Sequence, residues 1–179
     1  MSGALAKQKC PHLIFVKPRY SRYKEISSKI RAIFYDYTDL VEPLSLDEAY
    51  LDVTDSPHCS GSATLMAQEI RQKIFDKTGL TASAGVAPIK FVAKIASDEN
   101  KPNGQCIITP DKVPEFLAVL PLGKIPGVGK VTLERLSALQ LKTGKDVLDK
   151  GEDWMLRTLS NFGYDLYQKC AGNCQGKVH

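Results

Sequence analysis

At 179 residues, 43% of them hydrophobic, the chain is long enough for one or two domains with a substantial core. Its 24 basic and 20 acidic residues leave a net charge of +4, which permits a nucleic-acid partner without requiring one. No run is apolar and long enough to suggest a membrane span, and residues 1–10 lack the apolar core of a secretory signal, so a cytoplasmic protein is expected. The five cysteines are odd in number and have no framework or zinc-finger spacing, which suits reduced thiols better than a disulfide scaffold or a structural zinc site.

In chain order, Leu13 to Lys17 (Leu-Ile-Phe-Val-Lys) reads as a short strand. A helix follows over about 21–38, with Tyr23, Ile26, Ile30, Ile33, Phe34 and Tyr37 at helical spacing and Arg22, Lys24, Lys29 and Arg31 on its other face. Val41–Leu46 and Ala49–Thr54 are β-prone runs separated only by Asp47 and Glu48, the signature of a hairpin, with Pro43 at an edge or bulge. Ser62 caps a second helix reaching Lys77 with Met66, Ile70 and Ile74 on one face, and Gly79 ends it. Residues 81–87 form a strand, and Pro88 opens a helix to about Asp98, followed by a turn at Lys101-Pro102-Asn103-Gly104. Residues 106–109 form a last strand. Beyond Pro110 only helices are expected, near 111–119, 130–139, 143–149 and 153–171. The chain therefore divides at about residue 110 into an α+β layer and a small helical domain.

Asp47 and Glu48 are chemically the most suggestive residues. Adjacent strand residues point to opposite faces, so two neighbouring charges fit an apolar hairpin only where a turn releases both to the rim of the sheet. There they could share one cation with substrate phosphates and water, the coordination that Mg²⁺ prefers. On spacing alone, a solvated acidic turn is the commoner reading. Lys90 and Lys94, four apart, share one helix face; a solvated lysine face explains the first better than a site does, and the second equally well. Gly127-Val128-Gly129 lets the backbone approach a phosphate and leaves amides free at the next helix start, although a plain tight turn between helices has the same residues. His12, His58 and His179 have no nucleophile in a recognisable arrangement, and Trp154, Tyr164 and Tyr167 suit packing of a terminal helix.

Three ordered blocks change these odds. Pro43-Leu44-Ser45-Leu46-Asp47-Glu48-Ala49-Tyr50-Leu51-Asp52 resembles the palm motif of Y-family DNA polymerases, the error-prone enzymes that copy damaged template. Thr81–Ala87 with Lys94–Asp98 and Lys101–Gly104 is similar to a second block of that family, and Leu120–Lys130 resembles its thumb helix-hairpin-helix. The likeness runs through nearly the whole chain and is nearest the bacterial DNA polymerase IV subgroup.

The resemblance implies a partial palm over 1–109, mainly antiparallel sheet with helices on one face, and an all-α thumb over 110–179. It implies translesion DNA synthesis by a monomeric, two-metal, Mg²⁺-dependent nucleotidyltransferase. Asp47 would bind metal, and Glu48 would be the neighbouring catalytic and metal carboxylate. Lys101 and Lys94 would contact the triphosphate of an incoming dNTP. Lys124, Gly127, Val128, Gly129 and Lys130 would hold primer–template DNA by its backbone. A sliding clamp would be met through other regions of the family's chain.

The family's palm also carries an aspartate in a Met-Asp motif on its first strand. These residues contain no such motif, nor most of the fingers, nor the domain that follows the thumb. The expectation is that this chain alone has little or no polymerase activity. The competing readings are a non-catalytic DNA-binding module that uses the Gly127–Gly129 hairpin, and a partly folded remnant with an exposed sheet edge.

Overall fold

The computed structural model describes residues 1–174 and 176–179. A short helix unforeseen in the sequence, α1 (Gly3–Lys9), begins it, capped by the Ser2 hydroxyl, which accepts from the Leu5 amide at 3.3 Å. The strand expected at 13–17 does not form. Among the described residues its backbone has no ladder partner, and Ile14, Phe15 and Val16 are 82%, 62% and 84% exposed. A β-prone run becomes a strand only where another strand takes its backbone hydrogen bonds.

Helix α2 (Tyr20–Tyr35) and helix α3 (Ala63–Thr78) pack against each other around Ile33, Tyr37, Met66, Ile70 and Ile74. The punctuation of α3 is as expected. Ser62 Oγ accepts from the Leu65 amide at 3.3 Å, and Gly79 closes the helix in the left-handed region at φ 71°. Between the two helices, β1 (Val41–Pro43) pairs antiparallel with β2 (Ala49–Leu51), with Glu42 opposite Tyr50.

A second strand pair is parallel: β3 (Ala84–Val86) lies beside β4 (Gln105–Ile107), joined through α4 (Lys90–Glu99). Here Gly85 is required, since a Cβ at that position would sit 1.9 Å from the Ala93 carbonyl oxygen of α4. The expected mixture of helix and sheet is present, but the strands form two separate pairs, one antiparallel and one parallel.

The C-terminal part is helical, as expected: a 3₁₀ turn at Pro110–Lys112, α5 (Val113–Val119), a second 3₁₀ turn at Leu122–Lys124, then α6 (Lys130–Ala138), α7 (Gly144–Lys150) and α8 (Glu152–Cys170). A capping box opens α7, with Thr143 Oγ1 accepting from the Asp146 amide and Asp146 returning bonds to the Thr143 backbone and side chain. Helix α8 breaks direction at Ser160, whose φ is 55°. The large core of this region includes Leu117, Leu122, Leu136, Val147, Met155 and Leu166. Phe91, Val92 and Ile95 of α4 belong to the same core. So α4 buries one face in the helical region and turns the other, with Lys90, Lys94 and Ser97, toward a cleft between the strand pairs.

Candidate functional site

That cleft is open and large, about 1850 Å³, more than the few hundred cubic ångströms that a small cofactor fills. Its apolar wall comes from Ile26, Ile30, Phe34, Met66 and Ile70, while Asp47, Glu48, Lys94 and Lys101 stand along it among its charged groups, which also include Asp52, Arg71, Lys90 and Lys177. The sequence placed the first four of these charges in separate elements: a hairpin turn, a helix and a loop. The fold brings them to one cleft.

The acidic turn is built by Ser45. Its hydroxyl accepts from the amides of Asp47 at 3.3 Å and Glu48 at 3.1 Å, and donates to Asp47 Oδ1 at 2.6 Å. The amides of Leu44 and Ser45 in turn donate to the Glu48 carbonyl, and Arg31 Nη2 donates to the Ser45 carbonyl at 3.1 Å. The first predicted strand stops at Pro43, where the turn built by Ser45 begins, and the second starts at Ala49 but ends at Leu51, beyond which Asp52 takes the Thr54 amide. Sequence reasoning overlooked Ser45, though a serine two and three residues before the acidic pair is the local signal of such a turn.

Asp47 Oδ2 takes no protein hydrogen bond among the described residues. Glu48 Oε2 pairs with Lys94 Nζ at 2.8 Å, with both side chains partly exposed. Exposed pairs of this kind contribute about 0–1 kcal/mol, so a cation or phosphate can exchange into it at little cost. The pair raises the Lys94 pKa, the Glu48 hydrogen bond being the main cause. Lys101 Nζ pairs with Asp98 Oδ1 at 2.6 Å. Its pKa is also raised, chiefly by that bond, with the charges of Glu48 and Asp47 adding to the effect. Lys101 therefore lies within the field of the acidic pair.

Asp52 also lines the cleft, but its carboxylate is engaged locally. Its Oδ1 accepts from the amide and hydroxyl of Thr54 at 3.0 and 2.6 Å, and those bonds hold its pKa low. Lys90 also lines the cleft, but it bonds to Glu42 and lies over the Tyr50 ring, which ties it to the scaffold. Among the described residues no group of three or more His, Cys, Asp or Glu side chains could hold a metal. Asp47 and Glu48 are a two-carboxylate set, which suits Mg²⁺ only when substrate oxygens and water complete its shell.

The predicted phosphate-binding turn lies elsewhere on the molecule. Gly127 has φ 96°, and Gly129 stands at the start of α6 with no side-chain cap, so the first-turn amides have no such partner. Val128 N–H donates to the Ile125 carbonyl at 3.0 Å, and Lys169 Nζ from α8 donates to the Pro126 carbonyl at 3.3 Å, bracing the turn. Lys130 is exposed at the first position of α6, while Lys124 pairs with Glu99 at 2.6 Å. Lys169 was not foreseen, because nothing local in sequence links it to Pro126.

A two-part α/β and helical fold, with an acidic hairpin turn in a cleft and a glycine turn opening a helix, agrees with the Y-family polymerase resemblance carried by the sequence. Residues 1–98 match the impB/mucB/samB family model and residues 110–141 match that family's HHH motif, and the chain belongs to this family. It is 65% identical over 178 residues to DNA polymerase IV of Pseudoalteromonas translucida, covering 99% of this chain and 51% of that protein. It is 58% identical over 172 residues to DNA polymerase IV of Escherichia coli, covering 96% and 49%. The chain thus spans about half the length of the curated relatives it matches. Among solved structures, a DinB family error-prone DNA polymerase from Sulfolobus solfataricus superposes with a TM-score of 0.90 at 33% identity, over 100% of this chain and 54% of that one. An insertion ternary complex of Dbh DNA polymerase gives 0.88 at 33% identity, over 98% and 52%. No helix among the described residues is long and apolar enough to cross a membrane.

Proposed function

We propose that the protein serves template-directed, error-prone DNA synthesis by Mg²⁺-dependent nucleotidyl transfer, with residues 1–109 as palm and 110–179 as thumb. The observation that carries this reading is that Asp47, Glu48 and Lys101 line one cleft, with the charges of the acidic pair adding to the upward shift of the Lys101 pKa that Asp98 chiefly causes. Asp47 and Glu48 would hold Mg²⁺, which when bound neutralises the triphosphate and activates the attacking hydroxyl. Lys101 offers a point charge to the phosphates of a dNTP, and Lys94 can move from Glu48 to a phosphate at small cost. The Gly127–Gly129 turn, with Lys130 beside it, would grip the backbone of primer–template DNA without reading its sequence. Lys124 would add charge there once released from Glu99.

Two carboxylates are a weak Mg²⁺ site, so slow primer extension at best is expected of this chain alone. Metal capture is the sharper test. Mn²⁺, followed by loss of its free-ion EPR signal, should bind in the presence of dNTP, and Asp47→Ala should abolish that binding. Mn²⁺ capture unchanged by Asp47→Ala sinks the catalytic reading. If at the same time Gly127→Ala with Gly129→Ala removes DNA retention, the chain is a DNA-binding module.

A further inference from the structure

The turn that launches Lys101 is held from a distance by Arg71, a residue of α3 that no motif singles out. Arg71 Nε donates to the Ala82 carbonyl at 2.9 Å. Its Nη2 donates to the Asn103 carbonyl at 2.6 Å and to Asn103 Oδ1 at 3.0 Å. One guanidinium thus ties the approach to β3 to the loop after α4, with Asn103 lying 32 residues further along the chain. Asn103 needs holding, since it sits in the left-handed region at φ 49°, where an asparagine is tolerated at some cost. The rest of the loop is fastened around it. Gly104 N–H donates to Ser83 Oγ at 3.3 Å, and Asn100 Nδ2 donates to the Gln105 carbonyl at 2.8 Å. A Cβ on Gly104 would meet the Asn100 carbonyl oxygen at 1.8 Å, so the loop passes too close to the end of α4 to take another course.

We propose that Arg71 is a positioning residue for the incoming nucleotide: by clamping Asn103 it fixes the backbone from which Lys101 reaches into the cleft. The inference rests on the reading of Lys101 as a triphosphate contact. The physical case is one of entropy. Lys101 is exposed and its long side chain is mobile, so its placement depends on how firmly its Cα is held. A planar fork that bonds two carbonyls and a side-chain oxygen can hold two segments in register; a lysine, with a single nitrogen, cannot reach all three. Arg71 also lines the cleft, but its hydrogen bonds among the described residues go to Ala82 and Asn103 and none to Asp47, Glu48 or Lys101. Its effect is therefore assigned to the loop; a direct phosphate contact would instead give additive losses in a double-mutant cycle.

A double-mutant cycle tests this. Binding of Mg²⁺–tripolyphosphate to the full chain is measured by calorimetry for the unaltered protein, Arg71→Ala, Lys101→Ala and the double variant. Lys101→Ala is expected to weaken binding about tenfold, and Arg71→Ala about fivefold, as loss of one charge-assisted contact and of its preorganisation imply. The double variant should be no weaker than Lys101→Ala, because Arg71 has nothing left to position. Additive losses, or an Arg71→Ala affinity equal to the unaltered one, overturn the proposal while leaving the Lys101 reading intact. If Lys101→Ala changes nothing, or the unaltered chain does not bind the probe, it is the triphosphate reading that fails. A merely structural Arg71 would lower the melting temperature without this coupling. Should Arg71→Ala not fold, Arg71→Lys carries the same cycle with a loss of about twofold, and the same additivity criterion applies.

Discussion

Ser45 decides how the acidic pair is presented. Two amides and one carboxylate oxygen converge on its hydroxyl, so the turn is set by a side chain and not by a ladder. That arrangement leaves Asp47 Oδ2 without a hydrogen bond among the described residues and gives Glu48 a partner, Lys94, that it can exchange. Ser45→Ala removes the acceptor from both amides. We expect a loss of about 0.5–2 kcal/mol, the range for deleting a capping hydroxyl. The dNTP-dependent capture of Mn²⁺ should weaken in parallel, since the two carboxylates would no longer be held together. Urea unfolding and the EPR titration read the two effects separately; a stability loss with undiminished capture would mean the turn keeps its shape without Ser45. The acidic pair itself was legible because its signal is local and continuous in sequence. Arg71 was not, because its partners lie in other elements and no spacing rule connects an α3 arginine to a distant asparagine.

At the scale of elements, what was legible was again what is local. Ser62 and Gly79 mark the ends of α3 because a cap is a contact within one turn, and Met66, Ile70 and Ile74 fall on its buried face by periodicity. The run at 13–17 misleads for the opposite reason: a strand is a relation between two segments, and its composition says nothing about whether the second is there. Helix α1 escapes notice because it buries nothing and has only the Ser2 cap to announce it. Helix α7 offers a test of how much one cap does. Asp146 accepts from the amides of Lys142 and Thr143 and from the Thr143 hydroxyl, and these bonds, the Lys142 amide first, hold its pKa below the ordinary value. A carboxylate depressed in the folded state stabilises fully above its unfolded pKa of about 3.9 and loses that contribution as the pH falls through the folded value. Asp146→Asn should therefore lower the urea midpoint at pH 7, and the gap from the unaltered chain should close as the pH drops below about 3.9. A gap that stays constant down to pH 3 would show that the charge on Asp146 is irrelevant to the cap.

For the molecule as a whole, the question is whether the α/β layer and the helical region fold as one. The sequence divides at residue 110, yet the cores do not respect that line. Ile95, 3% exposed, lies on α4 within the first part and packs into the core of the second. Helix α4 also packs on β3 and β4, and β3 meets α3, so a continuous chain of contacts runs from one core to the other. Trp154, the only tryptophan, sits against the helical core and reports on that region alone. Ile70, 8% exposed, belongs to the α2–α3 core. Truncating either isoleucine to alanine should cost about 2–5 kcal/mol. If the two regions are coupled through α4, Ile70→Ala will lower the unfolding midpoint seen by Trp154 fluorescence as much as the midpoint seen by far-UV circular dichroism. Ile95→Ala should move both in the same way. If instead Ile70→Ala shifts only part of the dichroism signal and leaves the Trp154 transition in place, the two regions unfold independently. The cleft charges would then sit on a layer that can open while the glycine turn stays folded. Coupling matters for the proposed chemistry because α4 carries Lys94 and leads into Lys101: the helix that joins the cores also holds the cationic side of the cleft.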